Sequence, residues 1–196
     1  MTCSSGGLID VHWFRAGRAP SEWELFCRLA HQAYAAQGCE EALSWLDDLT
    51  VSSLDDLHFC TLSRSGKPLG GFSVRALPVE DLLAPHCWPD STQVRVALRG
   101  IVGSALVAEA STAWSLDLVV SPLLAAEAVT ALTLTGCRWM VATSAQHSID
   151  LWLSSGASRV KAVPAVQYPD SRYRTELLLW DRDQFVTQER GERWAS

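Results

Sequence analysis

The stretch Trp114–Ala157, WSLDLVVSPLLAAEAVTALTLTGCRWMVATSAQHSIDLWLSSGA, decides the fold class. It predicts an apolar strand (Trp114–Val120), a helix that starts at a proline (Pro122–Thr135), a second strand (Trp139–Ala145) and a second helix that closes at Gly156. Strands that alternate with helices of this length predict an α/β fold, in which crossover helices cover a buried sheet.

The chain ahead of this stretch predicts helices and an antiparallel hairpin. A helix starts after Pro20, where Ser21 and Glu24 have the spacing of a capping box. Its apolar residues recur at helical intervals and form one stripe, which consists of Trp23, Phe26, Cys27, Ala30 and Tyr34. The remaining predicted elements, in chain order, are a strand Leu8–Phe14, a short helix Glu40–Leu49, strands Leu57–Ser63 and Pro68–Leu77 joined at Ser65-Gly66, a helix Thr92–Glu109, and closing strands Arg159–Gln167 and Tyr173–Trp180.

Composition limits the classes of function. The 196 residues suit one domain, 1–196, with peripheral ends at 1–19 and 182–196, and a 48% hydrophobic content can build a large core. The net charge of −6 argues against nucleic-acid binding, which needs a basic surface. No run approaches the ~18 apolar residues of a membrane span, and no basic segment precedes an apolar one at the start. We therefore expect a cytoplasmic protein, and the scattered Cys and His residues predict no metal site.

Four short motifs occur in an order that resembles a known superfamily. They are an acidic segment and hairpin that lead into Val74–Pro78 (VRALP), the strand-like LDLVVSP of Leu116–Pro122, the helix end LWLSSGA of Leu151–Ala157, and YPDSRYRTELL of Tyr168–Leu178. The chain is thereby identified as resembling the Gcn5-related N-acetyltransferase (GNAT) superfamily. Within it, the chain is most similar to the long-chain N-acyl amino acid synthases and the acyl-homoserine-lactone synthases. The resemblance implies a central mixed sheet of six or seven strands, with two parallel strands that splay apart at its centre.

The resemblance also implies a reaction. These families transfer an acyl group from acyl carrier protein or acyl-CoA to an amine or amino acid, here in specialised metabolism. Two alternatives stay open. One is a repurposed GNAT-fold enzyme that cyclises or hydrolyses an acyl or polyketide-like ligand, and the other is a non-catalytic binding or assembly protein.

Several family positions hold other residues here. The glycine-rich cradle for the coenzyme A pyrophosphate would fall at Ala125, Ala128 and Thr130, which favours a donor carried on acyl carrier protein, since that donor needs the cradle less. The tyrosine that protonates the leaving thiolate would fall at Trp152, whose indole cannot donate a catalytic proton. The central-strand glutamate of the synthases would fall at Ser115.

The candidate catalytic residues are Asp117, His147 and Tyr173. Asp117 would lie inside the strand Leu116–Val120, where a buried carboxylate needs a partner or a function. His147 follows the second strand, at the edge where open sheets place ligands. Tyr173 would offer a phenol from the closing hairpin. Each has a plainer interpretation, as an outward-facing or paired acid, a surface histidine and a packed core tyrosine.

The candidate binding residues fall into two groups. Arg75 could clamp a substrate carboxylate or pair with Asp55 or Asp56. Ser144 lies at the end of the second strand, where open sheets place ligands. Two indoles, Trp114 and Trp152, could line a substrate tunnel, although core filling is the plainer interpretation for tryptophan. The resemblance places the thioester donor against the backbone at Val119, Val120 and Ser121.

Overall fold

The computed structural model describes residues 8–46 and 48–185. Its strands are β1 Ile9–Arg15, β2 His58–Arg64, β3 Lys67–Leu77, β4 Val107–Ser115, β5 Trp139–Ala145, β6 Ser158–Arg159, β7 Val166–Gln167 and β8 Arg174–Asp181. Its α-helices are α1 Pro20–Ala35, α2 Ser91–Val102, α3 Ser121–Ala126, α4 Ala128–Thr135 and α5 Ile149–Ser154. Short segments of 3-10 helix occupy Ala16–Arg18, Glu40–Leu46, Val51–Leu54, Val79–Asp81, Ala84–Cys87 and Leu118–Val120.

The strands confirm the predicted α/β class. They form one mixed sheet in the order β1-β2-β3-β4-β5-β8-β6, and β7 pairs with β8. The β4–β5 pair is parallel, whereas β1–β2 and β5–β8 are antiparallel. Ser65 and Gly66 both adopt positive φ, 52° and 75°, as the predicted tight hairpin between β2 and β3 requires.

The described chain divides into two compact units. The first consists of the chain up to Ser73 together with Thr112–Leu124, and the second consists of Val74–Ser111 together with the chain from Ala125 onward. That residues 1–196 form a single domain therefore stays a prediction. The part of the predicted peripheral tail from residue 186 onward lies outside the described residues.

An aromatic cluster forms the core of the first unit. Phe26 of α1 stacks on Trp23 with ring centroids 5.2 Å apart, and it contacts Phe59 and Trp114 at 5.2 and 5.7 Å. The predicted apolar stripe of α1 thus faces the sheet. The predicted capping box is wrong, because the helix begins at Pro20 and the N-cap is Ala19 without a side-chain hydrogen bond. Proline already has the φ of the first helical turn and no N–H that needs a partner.

The core of the second unit is aliphatic. Helix α2 buries Val94, Leu98 and Val102 against strand residues that include Val141 and Leu177. The helix is capped by Asp90, whose carboxylate accepts hydrogen bonds from the N–H groups of Thr92 and Gln93, each at 3.1 Å. This capping gives α2 a fixed start.

Two predicted elements around the centre of the sheet are wrong. The helix predicted over Thr92–Glu109 ends at Val102, because Gly103 adopts a φ of 66° that closes the helix. The strand predicted over Trp114–Val120 lies earlier, at β4. Asp117 instead caps a 3-10 turn by accepting a hydrogen bond from the Val119 N–H at 3.0 Å. A short polar side chain that binds nearby backbone competes with extended structure in this way.

Other predicted elements differ in length. The helix predicted over Pro122–Thr135 is interrupted at Glu127, which separates α3 from α4. Of the strand predicted over Arg159–Gln167, only β6 and β7 are extended, and each is two residues long. The strands β5 and β8 and the closing glycine at 156, with a φ of 91°, match the prediction to within a residue.

We predict opposite effects of alanine at two glycines. A Cβ at Gly71 would meet the backbone carbonyl oxygen of Cys60 and lie 2.9 Å from Cε2 of Phe26, whereas a Cβ at Gly100 in α2 would meet no atom within 4 Å. Gly71→Ala should lower the free energy of unfolding by about 1–3 kcal/mol through overpacking. Gly100→Ala should raise it by up to about 1 kcal/mol through helix propensity. Chemical denaturation measures both, and a stabilising Gly71→Ala would contradict the packing described here.

Candidate functional site

The hydrogen-bond ladder between the two central parallel strands is short. It pairs Val107 with Trp139, Ala108 with Met140 and Glu109 with Val141, and it goes no further. Both strands continue beyond it, β5 to Ala145 while still paired with β8. The parallel ladder therefore ends directly after Glu109, at the place where the predicted splay of the central strands would begin.

Strand β4 also changes its backbone geometry after the ladder ends. Thr112 has a φ of 52°, although it is a β-branched residue and is buried. Left-handed backbone is costly for such a residue and is retained only where the surrounding structure imposes it. From Thr112 onward, the side chains of β4 therefore no longer follow the regular alternation between the two faces of the sheet.

A carboxylate occupies the last pair of the ladder. Glu109 is 1% exposed, and its Oε1 accepts a hydrogen bond from the Ala84 N–H with an N···O distance of 2.6 Å. Within the part of the chain that the structure describes, its Oε2 has no hydrogen-bond partner. A buried carboxylate with one bound and one unbound oxygen is oriented yet still able to accept a proton.

Burial raises the pKa of Glu109 above that of an ordinary glutamate, because the apolar surroundings disfavour the charged form. Hydrogen bonds from the backbone of Ala84 and Leu83, and the charges of Arg75 and Arg95, act in the opposite direction and lower that pKa. Burial is the largest of these effects. A glutamate with such a pKa is a candidate general base.

Arg95 fixes the loop that holds Glu109. Its Nε donates to the Glu80 carbonyl oxygen at 3.1 Å, and its Nη2 lies 3.4 Å from the Leu82 carbonyl oxygen and 3.0 Å from the His86 Nε2. The side chain of Leu82, which belongs to this loop, is fully buried. Because Arg95 lies on α2, the helix and its loop hold the Ala84 N–H in place against the carboxylate.

A thiol also lies in this environment, but it is not activated. Burial raises the pKa of Cys87 to about 11, and the charge of Glu109 acts in the same direction, while hydrogen bonds with Thr143 and Tyr168 lower it. A thiol with this pKa is protonated at neutral pH and is a poor nucleophile. Glu109 is therefore the better candidate for proton transfer in this part of the second unit.

The structure places five of the predicted residues in the second unit. Arg75 lies half-buried in β3, where its charge acts on Glu109. Ser144 is buried in β5, and its hydroxyl lies 3.0 Å from that of Ser148. His147 is exposed, with its ring centroid 6.3 Å from that of Tyr173, so these two are brought together. Trp152 is half-buried and packs edge-on against Trp180, with ring centroids 5.9 Å apart.

The other five lie in the first unit. Trp114 is 3% exposed in the aromatic core, and Asp117 accepts from the Val119 N–H and lies 3.9 Å from Nη1 of Arg64. The N–H groups of Val120 and Ser121 donate to the carbonyl oxygens of Asp117 and Leu118. The N–H groups of all three residues whose backbone was predicted to bind the donor are thus occupied within the 3-10 turn.

Sequence reasoning missed Glu109, because the helix prediction extended over it. The stop signal at Gly103 could have ended the helix prediction before Glu109 and left that residue in a following strand. Ser115, where the central-strand glutamate of the synthases was expected, lies at the end of β4 and donates its hydroxyl to the Asp117 carbonyl oxygen at 2.7 Å.

No three His, Cys, Asp or Glu side chains of residues 8–46 and 48–185 gather in a group that could hold a metal ion. No single helix of that region has the length and apolar composition to cross a bilayer. Among these residues, the bent pair Leu118–Ala126 and Ala128–Thr135 reaches that length and apolar composition when its two helices are taken together.

Comparison with known proteins identifies uncharacterised relatives. The chain is 31% identical over 174 residues to proteins of Mycobacterium tuberculosis and Mycobacterium bovis, and the match covers 83% of this chain. It spans 65% of the length of those curated relatives. No family model matches the sequence.

Solved structures confirm the fold. FeeM, an N-acyl amino acid synthase from uncultured soil microbes, has a TM-score of 0.67 at 14% identity over 92% of this chain and 94% of its own. The NatC complex bound to Gag peptide and CoA has a TM-score of 0.57 at 10% identity, over 88% and 98% of the two chains. A GNAT-family protein of Desulfovibrio desulfuricans has a TM-score of 0.52 at 10% identity, over 89% and 99%. The chain has the GNAT fold predicted from its sequence.

We predict that Glu109 makes stability depend on pH. Because its folded pKa is raised, the native state holds a proton that the unfolded chain has already lost, so stability falls as pH rises from the ordinary glutamate range through the raised pKa. Glu109→Gln should flatten this decline, since the amide oxygen can still accept from the Ala84 N–H. Thermal unfolding across pH measures the slope, with Glu22→Gln on the exposed face of α1 as the control. An unchanged slope in Glu109→Gln would refute the assignment.

Proposed function

We propose that this protein is an N-acyltransferase, which moves an acyl group from the thioester of acyl carrier protein or coenzyme A to an amine or amino acid. The observation that carries this proposal is the buried carboxylate of Glu109 at the point where the central parallel ladder ends. The GNAT fold supports it, because proteins with this fold include an N-acyl amino acid synthase, FeeM.

The reaction needs one proton acceptor and one proton donor. The amine nitrogen attacks the thioester carbonyl carbon, a C–N bond forms, and the C–S bond breaks to release a thiolate. One proton leaves the nitrogen and one proton must reach the sulfur. Glu109 is the proposed base, since Oε2 is unbound and the raised pKa makes the carboxylate a stronger proton acceptor than an ordinary glutamate.

The proton for the sulfur must come from a group other than residue 152. The indole of Trp152 is packed against Trp180 and has no acidic proton to give. His147 and Tyr173 are the proposed donors, because their ring centroids lie 6.3 Å apart where β5 has just ended and β8 is about to begin. The exposure of His147 would let bulk water restore its proton.

The proposed donor is carried on acyl carrier protein rather than on free coenzyme A. The positions that would cradle a pyrophosphate hold Ala125, Ala128 and Thr130, and they fall on two short helices separated at Glu127. A negative side chain at that break disfavours further phosphate charge. A carrier protein would hold its own phosphate at the contact between the two proteins, in a pathway of specialised metabolism.

A mass-spectrometric assay tests the proposal. The purified protein is mixed with a set of acyl carrier protein and acyl-CoA thioesters and a pool of amino acids and amines. A new amide with matching loss of thioester supports acyl transfer and identifies both substrates. Retention of one acyl species without an amide would favour a different reaction on the same fold.

We predict that Glu109→Gln lowers kcat about 10²–10⁴-fold, the usual contribution of a general base. Gln keeps the acceptor for the Ala84 N–H and removes only the basic oxygen, so the fold should persist. Asp117→Asn tests the base predicted from the sequence and should change kcat far less, because Asp117 caps a turn. If Asp117→Asn abolishes turnover while Glu109→Gln does not, Asp117 is the base and the present assignment fails.

The charge of Arg75 should appear in the pH profile of turnover. Activity should rise with pH as Glu109 loses its proton, and Arg75 lowers the pKa at which this occurs. Arg75→Ala should therefore move the acidic limb of the kcat profile to higher pH. A substrate clamp would instead raise the KM for the amine at every pH and leave the limb in place. The profile of kcat against pH, measured beside wild type, separates the two roles.

A further inference from the structure

A histidine lies on the same short helical segment as the N–H group that binds Glu109. The segment Ala84–Cys87 is 3-10 helix, and the His86 N–H donates to the Leu83 carbonyl oxygen at 2.8 Å. Ala84 is buried and donates to Oε1 of Glu109, whereas the side chain of His86 is exposed. A displacement of His86 is therefore transmitted through one turn of backbone to the Ala84 N–H.

The contact between His86 and Arg95 requires a neutral imidazole ring. His86 Nε2 lies 3.0 Å from Arg95 Nη2. Because a guanidinium group only donates hydrogen bonds, Nε2 must be the acceptor and the ring proton must lie on Nδ1. A protonated ring has no acceptor nitrogen, and it would bring a second positive charge against the guanidinium. The contact is therefore lost when His86 takes up a proton, as histidines commonly do between about pH 5 and 8.

Arg95 transmits this loss to Glu109. The other contact of Nη2, with the Leu82 carbonyl oxygen, is 3.4 Å long and exceeds the usual length of an N–H···O hydrogen bond. When His86 is protonated, the Arg95 side chain keeps its Nε contact but loses the shorter of its two Nη2 contacts. The charge of Arg95 and the Ala84 N–H both favour the ionised form of Glu109. Weaker action of either raises the affinity of Glu109 for a proton.

The other charged and titratable groups that act on this arrangement keep their charge between about pH 5 and 8. They are Arg95 and Arg99 on α2, Arg75 on β3, Glu80 on the preceding turn, and the pair Cys87 and Tyr168. A hydrogen bond from its own backbone N–H and one from Arg99 lower the pKa of Glu80, so this carboxylate stays ionised. Burial raises the pKa of Cys87 to about 11, so this thiol stays protonated. His86 and Glu109 are therefore the groups of this set that change charge together.

We propose that neutral His86 is a positioning residue for Glu109. Through Arg95 it holds the Ala84 N–H against the carboxylate, and its protonation loosens that hold. This inference rests on the proposed function, because it treats Glu109 as the base. It adds a form of regulation, since the base is more readily inactivated by protonation once His86 carries a proton.

The direction of the effect separates this role from a simple effect of charge. A histidinium near Glu109 would by its own charge favour the carboxylate and lower its affinity for a proton. Because His86 is exposed, water and salt screen that charge, whereas the hydrogen bond from Ala84 is buried. Protonation of His86 should therefore raise the proton affinity of Glu109, by about two- to tenfold, the usual effect of one hydrogen bond.

Two variants fix the state of residue 86 and test this direction. In His86→Gln the amide oxygen can accept from Arg95 at every pH, and in His86→Lys the ammonium group can only donate. In protein labelled with ¹³C at the glutamate carboxyl carbons, the resonance that Glu109→Gln removes is followed across pH. We expect its midpoint in His86→Lys to lie above that in His86→Gln, by about two- to tenfold in proton concentration. Equal midpoints, or a lower midpoint in His86→Lys, overturn the inference.

Control variants locate the path of the effect. His12→Gln and His12→Lys, at an exposed histidine of β1, should leave the midpoint unchanged. In an Arg95→Gln background the two His86 variants should titrate alike, because the residue that transmits the effect is gone. A difference that persists in this background overturns the role of Arg95.

The tautomer of His86 gives an independent test of the contact. In protein labelled with ¹⁵N at histidine, the ring resonances of this residue are those that His86→Gln removes. The neutral ring should carry its proton on Nδ1, because Nε2 accepts from Arg95. A neutral ring with its proton on Nε2 could not accept from Arg95 and overturns the inference.

The titration and transfer experiments fail separately, since the titrations need no substrate. If the midpoint in His86→Lys lies above that in His86→Gln but no amide forms with any thioester, the positioning role stands and the transferase proposal falls. If amides form and the two variants titrate alike, the transferase proposal stands and the role of His86 falls.

Discussion

The second unit depends on holding a carboxylate out of water at the end of a β-ladder. An isolated ionised carboxylate is too costly to bury, so the group must be hydrogen-bonded, paired or protonated. The Ala84 N–H donates a hydrogen bond to one oxygen of Glu109, and the charges of Arg75 and Arg95 favour its ionised form. Burial nevertheless raises the pKa of Glu109. The balance leaves one oxygen unbound, which a purely structural acid would not need.

The loop before α2 positions the N–H group that binds the Glu109 carboxylate. The backbone of Leu83 and Ala84 reaches the carboxylate because the preceding loop is held by the buried side chain of Leu82 and by Arg95, which binds the carbonyl oxygens of Glu80 and Leu82. Asp90 fixes the start of α2, and therefore fixes Arg95. A chain of local contacts thus places one N–H group, and a change in any of them would alter the proton affinity of Glu109.

Local signals in the sequence, such as glycines and polar residues at the ends of elements, predicted much of the fold. They succeeded where no contact with a distant part of the chain opposed the local preference. Strand β5 was predicted with its observed ends, since the glycine at 136 and the polar residues after Ala145 mark its limits clearly. The helix prediction failed at Gly103, because apolar residues on both sides continue a helical spacing by chance. The strand prediction failed at Asp117, where a single side-chain hydrogen bond to Val119 outweighed the strand preference of LDLVV.

The candidate site could not be predicted in the same way, because its properties come from contacts between distant parts of the chain. Glu109 binds a backbone group 25 residues away, and no spacing rule relates the two. Conversely, the backbone of Val119, Val120 and Ser121 was predicted to bind the donor, and only the 3-10 turn shows that the N–H groups of these residues are occupied. Burial and hydrogen bonding decide which carboxylate could act as a base, and both are tertiary properties.

The protonation of Glu109 is the most direct test of this account. In protein labelled with ¹³C at the glutamate carboxyl carbons, one resonance will be absent from Glu109→Gln and can be followed across pH. The account predicts that this resonance titrates above the ordinary glutamate range, because desolvation outweighs the hydrogen bonds and the nearby arginines. Titration at or below that range would show a charged, structurally paired acid and would contradict its role as the base.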